Sequence, residues 1–288
     1  MTDNMKKPEW LKVSYDKAEV EKIATMMREL NLHTVCREAN CPNLGECYKK
    51  HTATFLIMGE NCTRHCRFCN VSKNMVCPLD ENEPKNVALA AKKLGLKHVV
   101  ITSVTRDDLD DGGASHFVKV VREIRAELDG AVIELLIPDL QGNHDALSLI
   151  LAENPEIFSH NVETVPRLYE TVRPQADYKR SLDVLLFAKE YNSKQVTKTG
   201  IMVGLGETPE EVYSVMDDLV NVGCDILTIG QYLRPSKQHI ELAEYVTPAQ
   251  FDKYAEIGKK KGFKYVFSAP LVRSSYHAAE AYDAAREK

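Results

Sequence analysis

Long apolar runs and an excess of basic charge are both missing from this sequence of 288 residues. Nowhere do about 18 uncharged apolar residues follow one another, and the opening MTDNMKKPEW holds no apolar segment of the signal-peptide kind. The formal net charge is −5, which is the wrong sign for a protein that binds nucleic acid. We therefore expect a soluble, cytoplasmic protein that binds neither a membrane nor nucleic acid.

The cysteines are crowded into one part of the chain. Seven of the eight lie between Cys36 and Cys77, and the eighth is Cys224. A reducing compartment keeps thiols reduced, so clustered cysteines there are more often metal or redox ligands than disulfide partners. The distribution indicates a metal-binding or redox protein.

Short apolar runs alternate with helical patterns from Ala53 onward. The runs are rich in Val, Ile and Phe, and several are apolar on both faces, as the covered strands of a parallel sheet are. The strand candidates are residues 53–59, 98–104, 131–138, 156–162, 197–204, 225–233 and 264–269. The helices that begin at Thr208-Pro209-Glu210-Glu211 and Thr247-Pro248-Ala249-Gln250 have an N-cap Thr, Pro at the first helical position and Glu or Gln at the third, which predicts a capping box. This alternation predicts an α/β fold, a partial (β/α) TIM-type barrel of about six parallel strands.

The stretch CTRHCRFCN places Cys62, Cys66 and Cys69 in the spacing C-x3-C-x2-C, in the loop after the first predicted barrel strand. A structural zinc site is one alternative, with His65 as the fourth ligand, but such sites pair their ligands over a longer distance in sequence. Iron–sulfur clusters also take closely spaced thiolates. A [4Fe–4S] cluster held by three cysteines keeps one iron open for a small molecule.

This loop resembles the signature of radical S-adenosylmethionine (SAM) enzymes, including the aromatic Phe68 before the third cysteine. The resemblance implies that the amino and carboxylate groups of SAM occupy the open iron. It also implies that the reduced cluster cleaves SAM to methionine and a 5′-deoxyadenosyl radical. The motif identifies a superfamily and leaves the substrate open.

A second triad lies upstream in CREANCPNLGEC, where Cys36, Cys41 and Cys47 have the spacing C-x4-C-x5-C. It predicts a second cluster that again lacks one cysteine, although buried thiols or a metal knuckle would have the same residues. Cys77 belongs to no motif, and Cys224 follows a helix like a small apolar filler. A hydroxyl of RSSY (273–276) is another candidate for the fourth ligand, and the residues alone do not choose between Ser274 and Ser275.

The two triads followed by RSSYHA closely resemble the lipoyl synthases, and the resemblance extends through SVTRDDLDDGGA and NVETVPRLYETVRP. It implies two [4Fe–4S] clusters, with Cys62, Cys66 and Cys69 on the one that binds SAM. The auxiliary cluster would be held by Ser275 and the three upstream cysteines. The expected reaction inserts two sulfur atoms, at C6 and C8 of an octanoyl chain on a carrier lysine, with the auxiliary cluster as a sacrificial donor.

The same resemblance implies the partners and the division of the chain. The carriers would be the glycine cleavage H protein and the E2 subunits of 2-oxoacid dehydrogenases. A donor of flavodoxin or ferredoxin type would reduce the enzyme, and an iron–sulfur carrier protein would rebuild the auxiliary cluster. We expect an N-terminal extension (1–52) with the auxiliary cysteines, a radical SAM barrel (53–262) and a C-terminal segment (263–288) with RSSY, both extensions covering the barrel mouth.

Three further side chains are expected to bind SAM. Asn161 and Glu163 end a predicted strand and should point to one side, because strand side chains alternate, and Arg173 would meet a carboxylate. Asp107, Asp108, Asp110 and Asp111 suggest carboxylate chemistry, but Arg106 and the following helix start offer salt bridges and capping instead. Arg64, His65 and Arg67 would lower thiol pKa values or, more commonly, be exposed loop charges.

Three rival functions fit parts of the pattern. Another sulfur-inserting radical SAM enzyme, similar to biotin synthase, would hold its sulfur-donor ligands inside the barrel and would not need the upstream triad. An electron carrier with two clusters would supply four cysteines for each cluster. A binding module stabilised by zinc would show no iron–sulfur absorbance.

Overall fold

The computed structural model describes residues 6–13, 17–49 and 53–286, so residues 1–5, 14–16 and 50–52 of the predicted N-terminal extension lie outside the described residues. The chain divides into two compact units. The amino-terminal unit comprises Ser14–Arg64 and Asn70–Phe158, and the carboxy-terminal unit comprises Met1–Val13, His65–Cys69 and Ser159–Lys288. Within the described ranges, the helices are too short or too polar to cross a bilayer.

The amino-terminal unit alternates strands with helices, as the sequence predicts. Its strands are β1 (His33–Thr34), β2 (Thr54–Ile57), β3 (His98–Ser103), β4 (Val132–Leu136) and the start of β5 (Ile157–Ser159). Its helices are α1 (Lys17–Glu29), α2 (Val35–Glu38), α3 (Leu44–Lys49), α4 (Glu83–Leu94), α5 (Ala114–Glu127) and α6 (His144–Leu151). A short 3₁₀ turn (Leu140–Gly142) follows β4.

Parallel pairing joins β2, β3 and β4. Phe55 lies opposite Ile101, and Ile101 lies opposite Leu135 in the next strand. All three side chains are fully buried, which explains why these strands read as apolar on both faces. The two-residue strand β1 pairs antiparallel with β2 and was not among the strands predicted from the sequence.

The carboxy-terminal unit continues the alternation of strands and helices. Its strands are β6 (Val196–Val203), β7 (Ile226–Gln231) and β8 (Tyr265–Ser268), paired parallel in that order. Its helices are α7 (Tyr169–Val172), α8 (Tyr178–Tyr191), α9 (Pro209–Asn221), α10 (Pro248–Lys261) and α11 (Ala278–Arg286), with 3₁₀ turns at Glu9–Leu11 and Pro166–Leu168. An apolar cluster that includes Leu185, Ile229 and Phe251 packs these helices onto the strands.

The two predicted helix starts differ in detail. At α9, the Thr208 side chain accepts a hydrogen bond from the Glu211 amide, and the Glu211 carboxylate accepts one from the Thr208 amide. This is the reciprocal capping box that the sequence predicts. At α10, Thr247 caps the Gln250 amide, but the Gln250 side chain reaches Tyr213 instead, so the reciprocal bond is not made.

The turn at the end of β2 sets the direction of the chain into the first cysteine loop. Met58 has a φ of 68°, a left-handed conformation that is unfavourable for a residue other than glycine. The buried Glu83 carboxylate accepts hydrogen bonds from the Met58 amide at 2.8 Å and pairs with His116 Nε2 at 2.6 Å. Glu83 therefore holds an otherwise unfavourable turn from the start of α4.

Candidate functional site

Cys62 is held in the loop after β2 by backbone groups of the amino-terminal unit. Its amide donates to the Ser72 carbonyl at 2.8 Å. Its sulfur accepts hydrogen bonds from the amides of Arg64 at 3.5 Å and Thr105 at 3.3 Å. These hydrogen bonds fix the position of the Cys62 sulfur at the start of the loop.

Cys66 and Cys69 lie in a turn that the carboxy-terminal unit supports. The Cys69 amide donates to the Cys66 carbonyl at 3.2 Å, and His239 Nε2 lies 3.2 Å from the Cys69 carbonyl oxygen. Arg67 donates its amide to the Val172 carbonyl. Phe68 packs against the apolar cluster of Val172, Leu205, Tyr232, Ile240 and Leu242. The aromatic residue before the third cysteine therefore anchors this turn by packing.

Arg64 is buried, so its interpretation as an exposed loop charge is wrong. Its guanidinium donates two hydrogen bonds to Asp107, at 2.6 and 2.9 Å, and one to the fully buried Asp139 at 2.7 Å. Burial lowers the pKa of Arg64, but the bonds to the two carboxylates outweigh it and hold that pKa above its ordinary value. Asp139, from the DLQGN loop after β4, was missed because nothing local in the sequence marks it.

The other carboxylates of this region have structural partners, as the salt-bridge and capping alternative predicts. Arg106 donates two hydrogen bonds to Asp108, both at 2.8 Å. Asp111 accepts from the amides of Gly113 and Ser115 at the start of α5. These contacts give Asp108 and Asp111 structural roles, in addition to Asp107, which pairs with Arg64, and assign none to Asp110.

The upstream cysteines come from α2 and α3 and the turn between them. Cys36 lies on α2, Cys47 lies on α3, and the Cys41 amide donates to the Cys36 carbonyl at 3.0 Å. Burial, with a smaller contribution from the electrostatic interactions with Cys41 and Cys47, raises the pKa of the Cys36 thiol to about 12. A thiol with a raised pKa stays protonated near neutral pH, so Cys36 would have to lose its proton to bind a metal.

A single zinc ion would require the upstream thiols to lie close together. Tetrahedral zinc with Zn–S bonds of about 2.3 Å would place its sulfurs only about 3.8 Å apart. In the described part of the chain, one group of three or more His, Cys, Asp or Glu side chains has its ligand atoms within 4.8 Å of one another. That group is His33, Glu38 and Glu60. The three upstream thiols are not part of that group, and a cluster bound by them stays a prediction.

Asn161 and Glu163 meet, although not by strand alternation. Strand β5 ends at Ser159, and Glu163 adopts a left-handed φ of 65°. This turn brings Asn161 Nδ2 within 3.1 Å of Glu163 Oε1. Burial raises the pKa of the Glu163 carboxyl, with Arg173 and Asn161 partly offsetting that effect.

Arg173 supports the same segment from α7. Its Nη1 donates to the carbonyls of Asn161 at 3.0 Å and Val162 at 3.2 Å. Its guanidinium also lies over the Tyr169 ring, 5.4 Å from the ring centroid. The three predicted SAM contacts thus form one connected group within the carboxy-terminal unit.

The RSSY segment follows β8 and distinguishes its two serines. The Ser274 hydroxyl accepts a hydrogen bond from Asn161 Nδ2 at 2.8 Å. Ser275 is half-buried in the next position of the turn. Ser274 therefore has a side-chain partner in Asn161, and Ser275 as a cluster ligand stays a prediction.

The two remaining cysteines have different surroundings. Cys224 is buried in the apolar cluster of the carboxy-terminal unit, as predicted, and burial raises its pKa to about 12. Cys77 is exposed. Neither cysteine belongs to one of the two triads.

Comparisons with known proteins identify the family of this chain. The model of the radical SAM superfamily matches residues 56–219. A lipoyl synthase from Caldanaerobacter subterraneus is 58% identical over 95% of this chain and 96% of its own length. One from Caldicellulosiruptor saccharolyticus is 53% identical over 96% of this chain and 97% of its own length.

A solved structure of a maturase of the [FeFe]-hydrogenase shares the fold, with a TM-score of 0.60 at 13% sequence identity. The match covers 96% of this chain and 61% of that chain. The α/β fold with parallel strands in an open sheet is therefore that of radical SAM enzymes, and the predicted partial barrel is confirmed. SAM and [4Fe–4S] clusters are the cofactors of this superfamily. With relatives of this similarity along nearly its whole length, the chain belongs to the lipoyl synthase family.

Proposed function

We propose that this protein inserts two sulfur atoms, at C6 and C8, into an octanoyl chain that is amide-linked to a lysine of a lipoyl carrier domain. The observation that carries the proposal is the 58% identity to a lipoyl synthase over 95% of the chain. Two thiol triads and an RSSY segment in the same chain support it. Both positions are unactivated C–H bonds, beyond the reach of ordinary acid–base groups, so cofactors must supply the chemistry.

The cysteines and one serine divide into two ligand sets. Cys62, Cys66 and Cys69 would hold the cluster that binds SAM. The auxiliary cluster would have four ligands: Cys36, Cys41, Cys47 and Ser275. When bound, these groups and SAM supply the radical that removes hydrogen from C6 and C8 and the sulfur that replaces it. The protein would supply the ligands, position the groups and exclude side reactions.

Asn161, Glu163 and Arg173 would orient SAM. The amide of Asn161 and the carboxylate of Glu163 offer one acceptor each to the amino group or the ribose hydroxyls. Arg173 holds the backbone of this pair in place through the carbonyls of Asn161 and Val162. Its charge also favours the ionised form of Glu163 and can face the carboxylate of SAM.

The partners follow from the same reaction. The substrate is a lipoyl carrier protein, with the glycine cleavage H protein and the E2 subunits of 2-oxoacid dehydrogenases as proposed carriers. A flavodoxin or ferredoxin would deliver electrons, and an iron–sulfur carrier protein would restore the auxiliary cluster, all in the cytoplasm. We retain the proposed division into an N-terminal extension (1–52), a barrel (53–262) and a C-terminal segment (263–288), with the two extensions over the barrel mouth.

The ligand sets can be separated by iron content after anaerobic reconstitution. Two clusters give about eight irons per chain. We expect Cys62→Ala and Cys36→Ala each to retain about four irons and to lose all sulfur insertion. The exposed Cys77→Ala is the matched control and should keep about eight irons and full activity. If Cys36→Ala keeps about eight irons, the upstream triad does not hold a cluster.

A further inference from the structure

The RSSY segment is fixed on both sides of Ser275. Before it, the Ser274 hydroxyl accepts the hydrogen bond from Asn161 Nδ2. After it, the Tyr276 ring stacks on Phe267 of β8, with centroids 6.0 Å apart and planes 8° from parallel. The position of Ser275 therefore depends on how firmly its two neighbours are held.

Two glycines allow this segment to lie against the strands. A Cβ atom on Gly200 of β6 would lie 2.9 Å from both Asn161 Oδ1 and Ser274 Oγ. A Cβ atom on Gly230 of β7 would collide with the Val272 carbonyl. Only glycine permits such a close backbone approach. The contact of Ser274 with Asn161 therefore depends on glycine at position 200, and the approach of Val272 to β7 depends on glycine at position 230.

The two polar atoms of the Asn161 side-chain amide differ in their hydrogen bonds. Its nitrogen donates to Glu163, whose carboxylate can only accept, and the same nitrogen reaches Ser274. Its oxygen is buried and has no hydrogen-bond partner among the residues that the structure describes. A buried acceptor without a partner is unfavourable, and the amino group and ribose hydroxyls of SAM are donors of the required kind.

We infer that Ser274 is a positioning residue that couples SAM binding to the placement of Ser275. A donor from SAM on Asn161 Oδ1 would fix the amide at both ends, and its nitrogen would then hold Ser274 more firmly. By reciprocity, a well-placed RSSY segment strengthens SAM binding by the same factor. This inference rests on the proposed function, in which Asn161 contacts SAM and Ser275 is a cluster ligand.

Hydrogen–deuterium exchange of the reconstituted enzyme, with and without SAM, tests the coupling. Binding couplings are commonly on the order of fivefold or more, so we expect SAM to slow exchange in a peptide covering 270–277 by about that factor. Ser274→Ala should remove this effect and weaken SAM binding by a similar factor. Thr228→Val is the matched control: its hydroxyl also faces Gly200, but it donates to the Thr199 carbonyl rather than to Asn161.

Three further variants separate positioning from a general structural effect. Ser274→Thr keeps the hydroxyl and should restore the SAM-dependent protection. Ser275→Ala removes the proposed ligand but leaves the coupling in place, because the link passes through Ser274. Gly200→Ala would wedge Asn161 and Ser274 apart and should reproduce the loss seen with Ser274→Ala.

The possible failures are distinguishable. If the unaltered enzyme holds fewer than about eight irons or does not bind SAM, the proposed function fails. If it holds both clusters and binds SAM, but exchange in 270–277 does not respond or responds equally in Ser274→Ala, only the role of Ser274 is refuted.

Discussion

Removing the Arg64 side chain should be among the most destabilising single changes near the first cysteine loop. Arg64 lies two residues after Cys62, and its side chain and that of Asp139 are 5% and 0% exposed. Truncation to alanine would leave the Asp139 carboxylate buried without its cation. Breaking a buried ion pair by removing one partner costs about 3–5 kcal/mol, whereas an exposed pair contributes about 0–1 kcal/mol.

The assay is thermal unfolding of the metal-free protein under reducing conditions. In a chain of this size, 1 kcal/mol corresponds to about 2–4 °C, so Arg64→Ala should lower Tm by an amount on the order of 10 °C. Arg122→Ala is the matched control, because Arg122 pairs with Glu153 but its side chain is 70% exposed. That control should shift Tm by less than about 2 °C.

A double-mutant cycle identifies the cause. If the stranded carboxylate is responsible, Asp139→Ala added to Arg64→Ala should cost less than the sum of the two single changes. Equal Tm shifts for Arg64→Ala and Arg122→Ala would refute this reasoning. Strict additivity of Arg64→Ala and Asp139→Ala would contradict it as well.

Three other changes have defined outcomes. Glu83→Ala leaves the buried Met58 amide without its acceptor, so urea denaturation should show a free energy of unfolding lower by about 1–3 kcal/mol. Glu81→Ala, at an exposed position, should have little effect. Equal losses in the two variants would contradict this reasoning. Arg167 lowers the pKa of Glu211 to about 2. The stabilisation from Glu211 is therefore complete above about pH 4.5 and is lost as pH falls toward 2. The free energy of unfolding should exceed that of Glu211→Gln by only about 0.5 kcal/mol near neutral pH, because the pair is exposed. This difference should narrow as pH falls from about 5 to 2, and a constant difference would refute the linkage. In Ser275→Cys the proposed oxygen ligand, which is the harder one, is replaced by a thiolate that iron would hold more firmly. We expect about eight irons but little sulfur insertion, and undiminished product would remove the rationale for serine.

The regular part of the fold could be predicted because its signals are local. Seven apolar runs became strands β2 to β8 at the expected places, since a strand buried on both faces needs a continuous apolar run. The start of α9 was equally readable, because a capping box is formed by four consecutive residues. The cysteine triads were visible for the same reason.

Features that depend on residues far apart in sequence could not be predicted. Arg64 looked like an exposed loop charge until the fold placed Asp139 beside it, 75 positions later. Ser274 and Ser275 were equivalent on chemistry alone, and only the contact with Asn161, 113 positions earlier, separates them. The two-residue strand β1 has too few residues to produce a pattern and is defined by its pairing with β2.

The most direct test of the account is the mass of the product from an octanoyl-lysyl peptide. The reconstituted enzyme would be incubated without oxygen in the presence of SAM and a reductant. The account predicts a gain of two sulfur atoms per octanoyl chain, with 5′-deoxyadenosine released in step. Cleavage of SAM with no change in the mass of the peptide, by an enzyme that holds about eight irons, would contradict it.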